Sequence, residues 1–118
     1  MNTQNISTSQ NLLVENKLGC HVYDTGWQNN SKDLNVQVEG EDLKAKLKFW
    51  ERGAQNTISD NTGEALGAVL SGKFELRLGA EQHILTTGDA VLIPDEPEYT
   101  WTALESGFLY QVKTRTKP

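Results

Sequence analysis

Residues 53–103, GAQNTISDNTGEALGAVLSGKFELRLGAEQHILTTGDAVLIPDEPEYTWTA, decide the fold. Two glycine-punctuated blocks stand out, one ending in AVLSG at residues 68–72 and one reading GDAVLIP at residues 88–94. Between them, KFELRL puts Phe74, Leu76 and Leu78 on one face and Lys73, Glu75 and Arg77 on the other. Successive side chains of a strand point to opposite faces, so this alternation predicts half-buried strands separated by turns. GAEQ and Thr87-Gly88-Asp89 supply the turns, and Asp89 reads as a structural residue whose carboxylate accepts nearby backbone N–H groups.

Working outward, EALGAVL and KFELRL are predicted as two strands joined at Ser71-Gly72. DEPEYTWTAL returns a strand, and GFLYQVK closes the sheet. Upstream, LNVQV at residues 34–38 and LKAKLKFW at residues 43–50 alternate as well. The second points Leu43, Ala45, Leu47 and Phe49 inward and leaves Lys44, Lys46 and Lys48 as a solvated strand face. LLVEN and CHVYD form a strand pair or a pairing arm, and TGWQNNSKD around Trp27 is turn-rich. Long helices and internal repeats are not expected.

The stretch resembles the cupin family, whose two motifs lie on a small all-β jelly-roll barrel, the double-stranded β-helix. The first cupin motif, which begins and ends in glycine, fits Gly53 to Gly72 without a gap. The second starts at Gly88, with Pro94 at the family's proline. Fifteen residues separate Gly72 from Gly88, a spacer common in small microbial cupins. The family register counted from Gly53 points Trp50 rather than Phe49 inward, and a bulge near Glu51 and Arg52 would reconcile the two patterns. Residues 88–113 also resemble the subgroup that includes ureidoglycine aminohydrolase-like and ethanolamine-utilisation-like proteins. Trp101 and Lys113 match its Trp and Lys-containing strand, while Tyr99 stands where its signature has glycine.

The departures bear on function. Ser59 and Asn61 occupy the two histidine positions of the first motif, Ala65 the glutamate position, and Tyr99 the histidine position of the second. Divalent transition metals want imidazole or carboxylate ligands, and neutral hydroxyls, an amide and a methyl are poor substitutes. The family's metal site is therefore expected to be lost, and no cofactor is expected. A displaced site built from His83, a glutamate and Cys20 remains an alternative.

At 118 residues, with 36% hydrophobic and 23% charged residues, the chain is expected to form one domain over residues 12–113. Residues 1–11 read as a disordered arm and residues 114–118 as a polar tail. The formal charge of -5 argues against a nucleic-acid partner, which needs clustered Lys and Arg. Lone Cys20 excludes an intramolecular disulfide framework. Without a signal-like or membrane-length apolar run, the expected location is cytoplasmic, with no membrane partner. Exposed jelly-roll edges and the N-terminal strands suggest a homodimer.

Residues two apart on a strand share a face, so Ser59, Asn61, Ala65, Gly67, Tyr99 and Trp101 are expected to line the barrel interior. Replacing glutamate by alanine beside a glycine leaves room for a small organic ligand, an acid or a sugar-like molecule, oriented by Ser59 and Asn61 and stacked by the aromatic rings. Side chains filling a closed barrel are the competing expectation. Two further functions are open: a small metal-free isomerase, lyase or cyclase with Tyr99 and His83 as catalytic acid and base, and a structural dimer without a pocket.

Overall fold

The structure, a computed structural model, describes residues 11–15, 21–59, 63–95 and 98–114. Its strands are β1 (Asn11–Glu15), β2 (His21–Asp24), β3 (Asn35–Glu39), β4 (Leu43–Trp50), β5 (Gln55–Ile58), β6 (Ala65–Leu78), β7 (Glu81–Thr86), β8 (Ala90–Ile93) and β9 (Tyr99–Thr114). Among the described residues the one helical element is a 3-10 turn, Trp27–Asn29, set between Gly26 and Asn30 in left-handed conformations. The all-β expectation therefore stands. Asn11 and Thr114, assigned above to the arm and the tail, belong to strands; the rest of both segments, like Cys20 and Asn61, lies outside the described residues.

β1 and β2 pair as a separate two-stranded sheet. The other strands form one antiparallel sheet in the order β3-β4-β9-β6-β7, with β5 also on β9 and β8 also on β6. Two long strands organise it. β6 and β9 run side by side from Ala65 opposite Lys113 to Arg77 opposite Thr100, and each carries different neighbours on its two halves.

Ser71-Gly72 is not the turn that the glycine suggested. The chain continues as one strand, bent where the β6/β9 register slips between Val69 and Phe74. A Cβ on Gly72 would lie 2.7 Å from the Ser106 carbonyl oxygen, and one on Gly107 would lie 1.9 Å from that of Ser71. Only glycine permits backbones this close, and Gly72 also has φ 98°. Asp89 plays its expected structural part: its carboxylate accepts the Thr86 N–H at 2.8 Å.

The sheet has apolar layers on both faces. The inner one contains Trp50, Phe74, Leu76, Ile93, Trp101 and Leu109. Its rings meet edge to face, Trp50 on Phe74 at 5.7 Å and Phe74 on Trp101 at 6.3 Å between centroids. The outer one joins Leu34, Val36, Leu47 and Phe108, with Phe49 against Phe108. This resolves the conflict in LKAKLKFW without a bulge. Trp50 enters the inner layer as the family register requires, while Leu47 and Phe49 serve the outer one. Both alternations were real, because both faces of β4 are covered.

Candidate functional site

Once Trp50 faces inward, strand periodicity puts Lys44, Lys46 and Lys48 on the same side. They are not the solvated face that the sequence suggested. Lys48 packs its ammonium over the Trp50 ring at 5.3 Å. Further along β4, two rows of strand partners cross the inner face. Gln37, Lys46, Gln111 and Gly67 form one, and Glu39, Lys44, Lys113 and Ala65 the other. Lys44 thus stands directly opposite Lys113, and like charges so placed destabilise a sheet. Glu39, next in the row, accepts a hydrogen bond from the Gln37 amide at 2.6 Å.

A cavity of about 140 Å³ lies against these rows. Lys44, Lys46 and Lys113 stand on one side with Gln37 and Gln111; Asn56, Ile58, Tyr99 and Trp101 close the other. Burial holds the Lys46 pKa below its ordinary value, and the charges of Lys48, Lys44 and Lys113 lower it further.

The residues singled out from the sequence divide. Tyr99 and Trp101 are buried and line the cavity. They alternate with Thr100 and Thr102, which face outward and hydrogen-bond Thr57 and Gln55 of β5. Ala65 is buried in the inner layer, but the hollow it borders is an outer one of about 120 Å³, lined also by Leu43, Leu66 and Leu92. Gly67 leaves no room, since a Cβ there would meet Trp101 Cζ2 at 2.6 Å. The space expected from the small residues is filled by the indole, and the cavity opens on its far side, towards the lysines. Ser59 is exposed at the end of β5 and outside the cavity wall, contrary to its expected inward position.

His83 is also displaced. It shares the parity of Leu85 but lies on β7, where its side chain is 53% exposed with Nε2 3.9 Å from Glu81. Leu76 of β6 separates it from Trp101 in the strand row, a spacing of about 10 Å across two strand intervals. His83 and Tyr99 therefore do not form a pair at the cavity. The lysines are what the sequence reading missed. Their signal was the family register itself, since an inward Trp50 carries Lys48, Lys46 and Lys44 with it.

A divalent cation, which the cupin resemblance implies, does not fit this wall. Ammonium groups repel it, and the remaining donors are neutral amides and a phenol. Among the described residues no three His, Cys, Asp or Glu side chains gather into a ligand set. The indole N–H groups of Trp50 and Trp101 are buried without an acceptor. No helix among the described residues is long and apolar enough to cross a membrane.

No protein-family model and no curated protein matches the chain. Solved structures do. A cupin superfamily protein of Desulfitobacterium hafniense superposes with a TM-score of 0.64 at 13% identity, covering 70% of this chain and 77% of that one. An RmlC-like cupin of Shewanella frigidimarina gives 0.62 at 17% identity, over 70% and 76% of the two chains. KdgF of a Halomonas species gives 0.59 at 26% identity, over 68% and 76%.

Proposed function

Because the chain has the cupin fold, we propose that it binds a small organic acid inside the barrel, through lysines rather than through a metal ion. The observation that carries this reading is the cross-strand pair Lys44 and Lys113, with Lys46 beside it, on one wall of a 140 Å³ cavity. Lys44, Lys46 and Lys113 outnumber the one carboxylate of their rows, Glu39, and an anion relieves the excess positive charge in a partly desolvated site. Tyr99 and Trp101 supply a flat apolar wall for the ligand's carbon skeleton. The volume favours an acid over a sugar, since a cavity of about 150 Å³ takes up a molecule of benzene's size.

Titration with propionate, followed by calorimetry or by backbone amide shifts, tests the reading. Saturable binding with shifts clustered on β4 and the end of β9 supports it, provided that propionamide does not bind. Equal binding of acid and amide, or shifts scattered over the surface, overturns it. The acid–base enzyme reading loses support with His83 on the far strand. We also propose a homodimer in the cytoplasm, its contact at the outer hollow where Leu43, Leu66 and Leu92 are exposed together.

A further inference from the structure

We propose that Lys46 forms a reversible imine with the carbonyl group of a small oxo acid held in the cavity, its carboxylate resting between Lys44 and Lys113. The inference rests on the acid-binding reading above and adds a covalent step to it. Three observations select Lys46. It lines the cavity, half-buried, opposite Tyr99 and Trp101. Its partners across both neighbouring strands, Gln37 and Gln111, are neutral amides, so no carboxylate stands directly across from it. The other charged groups facing it from the packed strands are Lys44 and Lys48 on β4, Lys113 on β9 and, diagonally, Glu39 on β3.

A lysine is a poor nucleophile while protonated, and burial beside other cations raises the share of free amine at any given pH. The lowered pKa of Lys46 has those two causes. The division of labour follows from position: Lys44 and Lys113, paired across β4 and β9, face the carboxylate, and Lys46 supplies the amine.

The step balances without an oxidant or reductant. The free amine attacks the carbonyl carbon, forming the C–N bond, and the carbonyl electron pair moves to oxygen, which takes up a proton. The hydroxyl of the resulting carbinolamine takes up the proton that the ammonium had released to solvent, its C–O bond breaks as water leaves, and a protonated imine remains. Net, one ammonium and one carbonyl give one iminium ion and one water.

The test uses the full chain, pyruvate as the oxo acid and propionate as the acid without a carbonyl. The protein is incubated with pyruvate and borohydride, digested, and mapped by mass spectrometry. Reduced pyruvate concentrated on Lys46, at least about tenfold above any other lysine, is the expected result. Lys46→Arg, which keeps the charge but cannot form an imine, should abolish the adduct. Propionate binding without an adduct, or an adduct spread over surface lysines, overturns the imine and leaves the acid site standing. Failure of both acids to bind overturns both. Mapping the unaltered chain keeps the test decisive even if the variant folds poorly.

Discussion

Trp101 occupies the space that Gly67 leaves. A Cβ built on Gly67 would sit 2.6 Å from Cζ2 and 3.0 Å from Cη2 of the indole, whose residue is 0% exposed. The ring also meets Phe74 edge to face. A methyl group at residue 67 therefore has to displace a buried indole from its packing on Phe74. Gly67→Ala is expected to destabilise the fold by about 1–3 kcal/mol, the usual cost of overpacking. Urea unfolding measures it, and unchanged stability would mean that the ring has slack.

Lys46→Met should stabilise the protein at neutral pH. In the native chain burial, then Lys48, Lys44 and Lys113, keep the Lys46 pKa below its unfolded value, so the unfolded state binds that proton more tightly. The resulting penalty is fully present below the lowered folded value. It is relieved as pH rises from there to the ordinary lysine value of about 10.4. Melting temperatures of the two proteins should differ most near neutrality and converge in the alkaline range. A variant less stable at neutral pH, with no convergence, would contradict this account of the cluster.

Propionate affinity should fall with salt and with rising pH. The lysines lie at a partly open cavity, so ions screen them, over a Debye length of about 10 Å at 0.1 M salt. Alkaline pH removes the charge of Lys46, whose pKa burial and the neighbouring lysines hold below its ordinary value. Lys113→Met, which takes away one member of the cross-strand pair, should weaken binding by about tenfold. Calorimetry at two salt concentrations and two pH values, on the native chain and the variant, checks all of this, and salt-independent binding would sink the electrostatic explanation.

Leu92→Lys tests the dimer. Leu92 is 62% exposed beside Leu66 and Leu43 on the outer side of β8, β6 and β4. Light scattering after size exclusion should find a dimer for the native chain and a monomer for the variant. A native monomer at micromolar concentration is the contrary outcome.

Much of the fold was legible because its strands alternate and its turns carry glycine. LKAKLKFW was bounded correctly at both ends, and Asp89 was read correctly as a turn residue. The failures have a common physical origin: alternation reports which side chains share a face, not what covers that face. Lysine alternating with leucine on β4 looked like water on one side and core on the other, yet both sides are lined by protein. Gly72 signalled a turn because glycine usually does, whereas here it lets two strands touch. At the site, Tyr99 and Trp101 were legible from the motif register. The exposure of Ser59 and His83 was not, since each depends on where neighbouring strands end. The cavity was misplaced for a similar reason, because small residues at Ala65 and Gly67 predict space only if no larger side chain reaches into it.

The shared strands β6 and β9 have one more consequence. Each lends its first half to one set of neighbours and its second half to another, through a crossing at Gly72 and Gly107 that tolerates no added atom. Both halves of the main sheet consequently depend on the same two strands. Its two ends should melt together, and amide hydrogens along both ribbons should exchange with solvent only when the whole molecule opens.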